Sequence, residues 1–123
     1  MHARWTRIID TPDGGSRFAD DEVALAPGDF APPAPPLGIS PGAVARTTRF
    51  IGAPAGWEAP AHPSPARQWV IMLAGRVEST TSDGVSRVFG PGDAALVEDT
   101  DGRGHRTRVV GDEAWLAMVV ELA

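Results

Sequence analysis

Short segments in which apolar and polar residues alternate recur along the chain, and turn-forming residues separate them. Alternation with a period of two residues is typical of strands that bury one face. No segment keeps the apolar period of a helix over a helix-length window. The pattern therefore predicts an all-β sandwich or barrel. The predicted strands are residues 5–9, 17–25, 44–51, 69–74, 76–81, 85–89, 94–97, 105–110 and 114–122.

Glycine-containing turns punctuate the second half of the chain. Asp83-Gly84 lies between two alternating segments and predicts a tight hairpin. Residues 90–93, Gly-Pro-Gly-Asp, predict a tight turn, and Gly111-Asp112 predicts the last hairpin turn. Residues 114–122 are almost continuously apolar, which predicts a strand that is buried on both faces.

A proline-rich segment covers residues 27–41 and includes Pro32-Pro33 and Pro35-Pro36. Proline has no backbone N–H to donate to a sheet, so the segment is predicted to be a loop or an arm at a sheet edge. It could also serve as a polyproline ligand for an adaptor domain. We favour a stiff connector that lies over the rest of the domain.

The composition limits the possible classes of protein. A chain of 123 residues favours one domain, residues 1–123. The absence of cysteine excludes disulfides and thiolate metal sites. The net charge is -5 and the arginines are scattered, so nucleic acid is not an expected partner. No signal peptide or membrane-spanning segment is recognisable, which predicts a cytoplasmic protein with no membrane partner.

Residues 56–75 form the most informative stretch of the sequence, because a polar loop there leads directly into an apolar strand. Such a junction can hold polar groups at a fixed point within an apolar shell. The spacing of Gly56, His62, Ser64, Gln68 and Gly75 resembles the first sequence motif of the cupin superfamily. That motif has His, His and Glu where this chain has His62, Ser64 and Gln68.

Residues 89–105 resemble the second cupin motif, which Gly92-Asp93 opens and His105 closes. A longer loop, residues 98–104, replaces the Pro-x-Gly of that motif. His-Pro-x-Pro-x-Arg-Gln and Glu-Asp-Thr-x-Gly-x-Gly-His also occur together in small bacterial single-domain cupins, which this chain resembles. The resemblance implies a jelly-roll β-barrel with residues 43–122 as its core. Residues 1–42 would supply N-terminal strands and the Pro-rich arm.

The same resemblance implies a metal site. His62, Gln68 and His105 occupy its ligand positions, and imidazole and amide donors suit iron, nickel, copper or zinc better than magnesium or calcium. Manganese is a further candidate. The alternative is a site with no metal. In that case Gln68 hydrogen-bonds His62 or a ligand, and His62 or His105 is a general acid or base.

The alternation of residues 68–74 predicts the walls of a pocket. If Gln68 points inward, Val70 and Met72 do so as well. An apolar cavity with a few polar groups at one end suits a small organic molecule. The predicted substrate pocket consists of Trp57, Ser64, Val70, Met72 and Thr107. Outward-facing apolar residues of the same strand, Trp69, Ile71 and Leu73, predict a homodimer, as many cupins form.

An acidic loop, with Glu98, Asp99 and Asp101, precedes His105 and contains Arg103. We predict a solvated loop that is paired with arginine, with a catalytic carboxylate as the alternative.

Three hypotheses for the function follow. The first is a metal-dependent enzyme for a small organic molecule, in which the metal activates dioxygen or acts as a Lewis acid. The second is a metal-free isomerase, dehydratase or cyclase with a histidine acid or base. The third is a module that binds a small ligand without chemistry.

Overall fold

The computed structural model describes residues 1–123, which form eleven strands and no helix. The all-β prediction is therefore confirmed. No helix long and apolar enough to cross a membrane is present. The strands are β1 (His2–Asp10), β2 (Ser16–Ala24), β3 (Ala26–Gly28), β4 (Leu37–Ile39), β5 (Ala45–Ala53), β6 (Gln68–Ala74), β7 (Arg76–Thr80), β8 (Ser86–Phe89), β9 (Ala94–Val97), β10 (Arg106–Val110) and β11 (Trp115–Leu122).

Two sheets form a sandwich of the jelly-roll type. The large sheet has the strand order β2-β1-β9-β6-β11-β5, and the small sheet has the order β10-β7-β8. β6 and β7 are consecutive in the chain but belong to different sheets, because the chain crosses between the layers at Gly75. Gly75 has a φ of 70°, a backbone conformation that residues with a side chain rarely adopt.

The core lies between the two sheets. Val70 and Met72 of β6 face it and are buried, as the alternation of the sequence predicts. The small sheet contributes Val77, Phe89 and Val109 from the opposite side. Each fully buried side chain of this size stabilises the folded state by roughly 1.5–3 kcal/mol relative to an exposed one.

The N-terminal hairpin completes the large sheet. β1 pairs with β2 in antiparallel fashion and with β9 in parallel, so β1 lies inside the sheet rather than at its edge. Ile8 of β1 is only 2% exposed and belongs to the core. The Pro-rich segment lies outside this sandwich and forms a small ribbon, since Gly28 pairs with Leu37 and Ala26 with Ile39.

The turn predictions have mixed outcomes. The Asp83-Gly84 hairpin is confirmed, since β7 pairs with β8 and Gly84 has a φ of 84°. The turn of residues 90–93 is also confirmed, because Asp93 N–H donates to the carbonyl of Gly90 at 3.0 Å. The hairpin predicted at Gly111-Asp112 is wrong: β10 pairs with β7, whereas β11 pairs with β5 and β6. Turn residues reverse the chain but do not determine which sheet the next strand joins.

The prediction that residues 114–122 are buried on both faces is wrong within this chain. Trp115, Ala117 and Val119 are buried in the core, but Leu116 between them is 41% exposed. The outward residues of β11 form part of an apolar outer face of the large sheet. A continuous apolar segment cannot distinguish this arrangement from a strand covered on both sides.

This outer face extends over several strands. Met118 of β11 is opposite Phe50 of β5 and Ile71 of β6, and cross-strand partners point to the same side of a sheet. Trp5 and Trp69 pack edge to face at 5.3 Å between ring centroids on the same side. Phe50 is 65% exposed. A contiguous exposed apolar face of this kind is typical of a protein interface.

We expect a second copy of the chain to cover this face. Light scattering should give a mass of two chains for the wild type. Ile71→Lys together with Leu116→Lys should give one chain, because each lysine would place a charge in the interface.

The matched control is Val88→Lys, since Val88 is 50% exposed on the small sheet instead. This variant should keep the mass of two chains. A wild-type mass of one chain at high concentration would contradict the expectation.

Candidate functional site

A cavity of ≈ 160 Å³ lies between the two sheets at one end of the sandwich. It brings together the eight residues that the sequence predicts for the site. Its volume corresponds to roughly five water-sized groups, so it suits a small molecule. Those eight residues are Trp57, His62, Ser64, Gln68, Val70, Met72, His105 and Thr107, and the other lining residues include Ser79 and Trp115.

The loop that carries His62 is attached to the small sheet. His62 N–H donates to the carbonyl of His105 at 3.1 Å, and His105 N–H donates back to the carbonyl of His62 at 3.2 Å. Further along, Val109 N–H donates to the carbonyl of Trp57 at 2.8 Å. The two imidazole rings consequently lie close together, with their centroids 5.9 Å apart.

Gly104 makes this close approach possible. A Cβ atom at this position would overlap the carbonyl group of His62, and the φ of Gly104 is also positive, at 74°. Only glycine satisfies both requirements without displacing the chain. Packing at the site itself thus requires glycine at position 104, directly before His105 of the second motif.

His105 is held by a buried carboxylate. Its Nδ1 atom lies 2.6 Å from Oδ2 of Asp99, which is 0% exposed. A neutral imidazole that donates from Nδ1 has its lone pair on Nε2, the ring nitrogen left free for the cavity. The prediction of a solvated acidic loop is therefore wrong for Asp99, whose side chain is buried and whose carbonyl accepts a hydrogen bond from Ser64 of the His62 loop.

His62 has the same tautomer for a different reason. Its Nδ1 atom lies 2.9 Å from the carbonyl oxygen of Pro63, which can only accept a hydrogen bond. Nδ1 must therefore donate, and Nε2 is unprotonated in the neutral ring. His62 is exposed at the mouth of the cavity, whereas His105 is 9% exposed within it.

Gln68 and Ser64 differ in how far they remain available to a ligand. Gln68 begins β6, and its side-chain amide makes no hydrogen bond within the chain, so it does not bond His62. Ser64 donates from its hydroxyl to the carbonyl of Ala66 at 2.7 Å, and from its backbone N–H to the carbonyl of Asp99 at 3.0 Å. Ser64 therefore fixes the His62 loop against the Asp99 loop.

Glu98 anchors the acidic loop from outside the cavity. It accepts hydrogen bonds from Arg7 at 2.7 Å and Arg67 at 2.9 Å. Partial burial acts to raise the pKa of Glu98, but the two arginines outweigh it and hold the pKa below its ordinary value. Arg103, the predicted partner of this loop, donates instead to the carbonyl of Asp13.

Asp10 fixes the other half of the same loop. Its carboxylate accepts hydrogen bonds from the backbone N–H groups of Asp101 and Gly102, both at 3.0 Å. The loop is thus held by β1 and by the His62 loop together, and Asp99 is oriented toward His105. From the sequence, a carboxylate with a role at the site is only the alternative for this loop, and Asp99 is not singled out, because the one signal is an acidic residue in the loop before the second-motif histidine.

A larger groove of ≈ 620 Å³ lies elsewhere on the surface and contains none of these residues. Its charged residues are largely paired, as in the ion pairs Arg87–Asp20 at 2.7 Å and Arg4–Glu22 at 2.9 Å. The cavity with His105 is smaller, but Nε2 of both histidines and the side-chain amide of Gln68 have no hydrogen-bond partner there, so it is the better candidate for chemistry.

Comparison with known families identifies the class of protein. The model of the cupin domain matches residues 49–121, more than half of the chain. The chain therefore belongs to the cupin family, which confirms the resemblance of the two motifs. No curated protein matches the sequence significantly.

Solved structures agree with the fold. The DMSP lyase DddQ from Ruegeria pomeroyi DSS-3 is 30% identical, with a TM-score of 0.51 over 62% of this chain and 37% of that one. The cupin domain of Cnp3 from Schizosaccharomyces pombe is 15% identical, with a TM-score of 0.52 over 99% of this chain and 84% of that one. Protein NMB1881 from Neisseria meningitidis is 18% identical, with a TM-score of 0.50 over 68% and 84%.

Replacing Gly104 with alanine should separate the two histidines. The variant should lose more than about 1 kcal/mol of unfolding free energy, because the added Cβ overlaps the His62 carbonyl at a positive φ. Urea denaturation measures the loss, and NMR of the imidazole protons reports whether the rings remain adjacent.

The matched control is Gly84→Ala. Gly84 has a similar φ of 84°, but nothing lies within 4 Å of its added Cβ. It should show only the cost of the positive φ. An equal loss of stability in the two variants would contradict a packing role for Gly104.

Proposed function

We propose that the protein is an enzyme for a small organic molecule and that His105 is its general base. The hydrogen bond between His105 and the fully buried Asp99 supports this proposal most directly. A carboxylate in this position fixes the tautomer of the imidazole and stabilises the imidazolium that forms when the ring takes a proton. The free Nε2 then acts on a molecule in the cavity.

The groups around His105 suit proton abstraction. Val70, Met72 and Trp115 make the cavity largely apolar, which strengthens polar interactions inside it. The amide of Gln68 has no partner in the chain and offers a donor to an oxygen on which negative charge develops. The hydroxyl oxygens of Thr107 and Ser79 lie 3.0 Å apart and form a hydrogen bond, and Thr107 offers the bound molecule a second polar contact.

The expected reaction begins with removal of a proton from a carbon next to an electron-withdrawing group. The C–H electron pair forms a double bond, and the proton moves to Nε2 of His105. In an elimination a leaving group on the neighbouring carbon departs with its bonding electrons. In an isomerisation the π pair of the neighbouring carbonyl moves onto its oxygen, and it returns when the proton is added at another position. The similarity to a DMSP lyase supports the elimination, although this chain spans only 37% of that protein.

The proposal is tested with the full chain in D2O and a panel of small carbonyl and carboxylate compounds that includes DMSP. Proton NMR should show hydrogen exchange or product formation for at least one compound. His105→Gln should lower the rate by about 100-fold or more, the usual contribution of a general base. Asp99→Asn should also lower it, because an amide can favour the wrong imidazole tautomer.

Asp101→Asn is the matched control, since it removes the same charge from the same loop at an exposed position. It should leave the rate unchanged, and nitrogen NMR should show the Nδ1–H tautomer of His105 in this control but not in Asp99→Asn. Full activity in His105→Gln would refute the base assignment. A cavity that binds compounds without transforming any would favour a binding module.

A divalent metal on His62, Gln68 and His105 is the second candidate. Both histidines donate Nδ1 hydrogens to oxygen acceptors, the arrangement usual for metal-ligating histidines. No three His, Asp or Glu side chains form a metal-binding group, so the third donor would be the neutral Gln68 amide. A bound metal would supply a Lewis acid or activate dioxygen.

Replacing Gln68 with glutamate should tighten metal binding, because a carboxylate balances the charge of the cation and the amide does not. Titration calorimetry with iron, nickel, copper, manganese and zinc on protein without a histidine tag should show at least a 10-fold tighter dissociation constant. Gln68→Leu is the control and should weaken binding. If neither the wild type nor Gln68→Glu takes up any of these ions, the metal hypothesis is wrong.

A further inference from the structure

A second pocket of ≈ 360 Å³ adjoins the cavity and points to the chemical class of the substrate. It shares Ile51, Pro65 and Gln68 with the cavity, so the two spaces lie on either side of these residues. Its other residues differ in character from the cavity walls. They include the charged side chains of Arg49 and Glu121.

Arg49 points to the inner side of the large sheet. It lies on the edge strand β5 directly opposite Val119 of β11, which in turn is opposite Val70 of β6. Val119 and Val70 are core residues, and cross-strand partners share a face. The guanidinium is therefore on the same side of the sheet as the cavity and is accessible to solvent at the pocket.

The guanidinium of Arg49 has no hydrogen-bond or ion-pair partner in the chain. By contrast, Arg7, Arg67 and Arg87 all pair with carboxylates. Glu121 lines the same pocket but accepts a hydrogen bond from Thr47 at 2.9 Å and is approached by Arg46 at 3.8 Å. An arginine offers a fork of donors that matches a carboxylate, and at Arg49 this fork is free.

We infer that Arg49 binds the carboxylate of a short organic acid whose other end reaches His105 past Gln68. This inference rests on the proposed function, because it names the substrate class of the same site. A carboxylate suits the pocket better than a phosphate, since Glu121 would repel a doubly charged group more strongly. The proton removed by His105 would then come from a carbon of this acid.

Arg49 has one plausible role that needs no ligand. An inward-pointing charge on an edge strand hinders the pairing of that edge with another sheet. A lysine would serve that purpose as well as an arginine, but it lacks the fork that binds a carboxylate with two parallel hydrogen bonds. The two roles therefore predict different results for Arg49→Lys.

The test measures binding rather than turnover, by titration calorimetry of the full chain. The probes are propionate, 3-hydroxypropionate and butyrate, together with propionamide as an uncharged analogue of the same shape. At least one acid should bind more tightly than the amide. Arg49→Gln should weaken the binding of that acid by about 10-fold or more and leave the affinity for propionamide unchanged. Arg49→Lys should weaken the binding of the acid several-fold.

Arg106→Gln is the matched control. Arg106 is also exposed and unpaired, but it lies in a separate groove with Glu58 and Glu78. It should bind the acid as the wild type does. In a His105→Gln background, which should lose hydrogen exchange, Arg49→Gln should still weaken acid binding by about 10-fold or more, which separates this inference from the assignment of the base.

Three outcomes would overturn the inference. One is wild-type protein that binds none of the acids, or binds them no better than propionamide. Another is an unchanged affinity for the acid in Arg49→Gln, whether or not that variant aggregates, which would leave edge protection as the role of Arg49. The third is an Arg106→Gln variant whose affinity for the acid falls as much as that of Arg49→Gln.

Discussion

The backbone bridge between His62 and His105 is the interaction on which the site depends. Two hydrogen bonds of 3.1 and 3.2 Å attach the loop before β6, in the large sheet, to the start of β10, in the small sheet. The bridge therefore closes one end of the sandwich and brings the two imidazoles to 5.9 Å. Gly104 permits it, because any larger residue would overlap the His62 carbonyl. The contact that closes the fold at this end is thus also the contact that places the two histidines together.

The buried carboxylate of Asp99 is the second consequence of this closure. An ionised carboxylate out of contact with water costs several kcal/mol unless a partner compensates it. Asp99 has His105 on Oδ2, while its Oδ1 has no hydrogen-bond partner in the chain. The anchors on either side, Glu98 with its two arginines and Asp10 with two backbone N–H groups, stabilise a loop that would otherwise tend to expose this charge.

Most strands were predictable because alternation reports which face of a strand is buried. Val70 and Met72 point into the core as their spacing requires, and the Asp83-Gly84 hairpin forms where the turn residues indicate. Sheet membership was not predictable in the same way. Gly111-Asp112 joins the two sheets although it has the composition of a hairpin turn, because pairing partners are chosen by long-range packing. The exposed residues of β11 were misjudged for the same reason, since a run of apolar residues does not reveal what covers each face.

By itself, the sequence determined the fold class, the family and eight of the residues that line the cavity, because alternation, glycine turns and motif spacing are local properties. Only the tertiary structure decided what those residues can do. It buried Asp99 against His105, left the amide of Gln68 without a partner, and placed Arg49 beside the cavity from a strand at the sheet edge. Arg49 reaches the site from a strand distant in sequence, whereas Asp99 and His105 are only six residues apart, and what the local motif does not show is that the fold buries this carboxylate against the ring. The charge state and availability of a polar group depend on its neighbours in space, and packing chooses those neighbours.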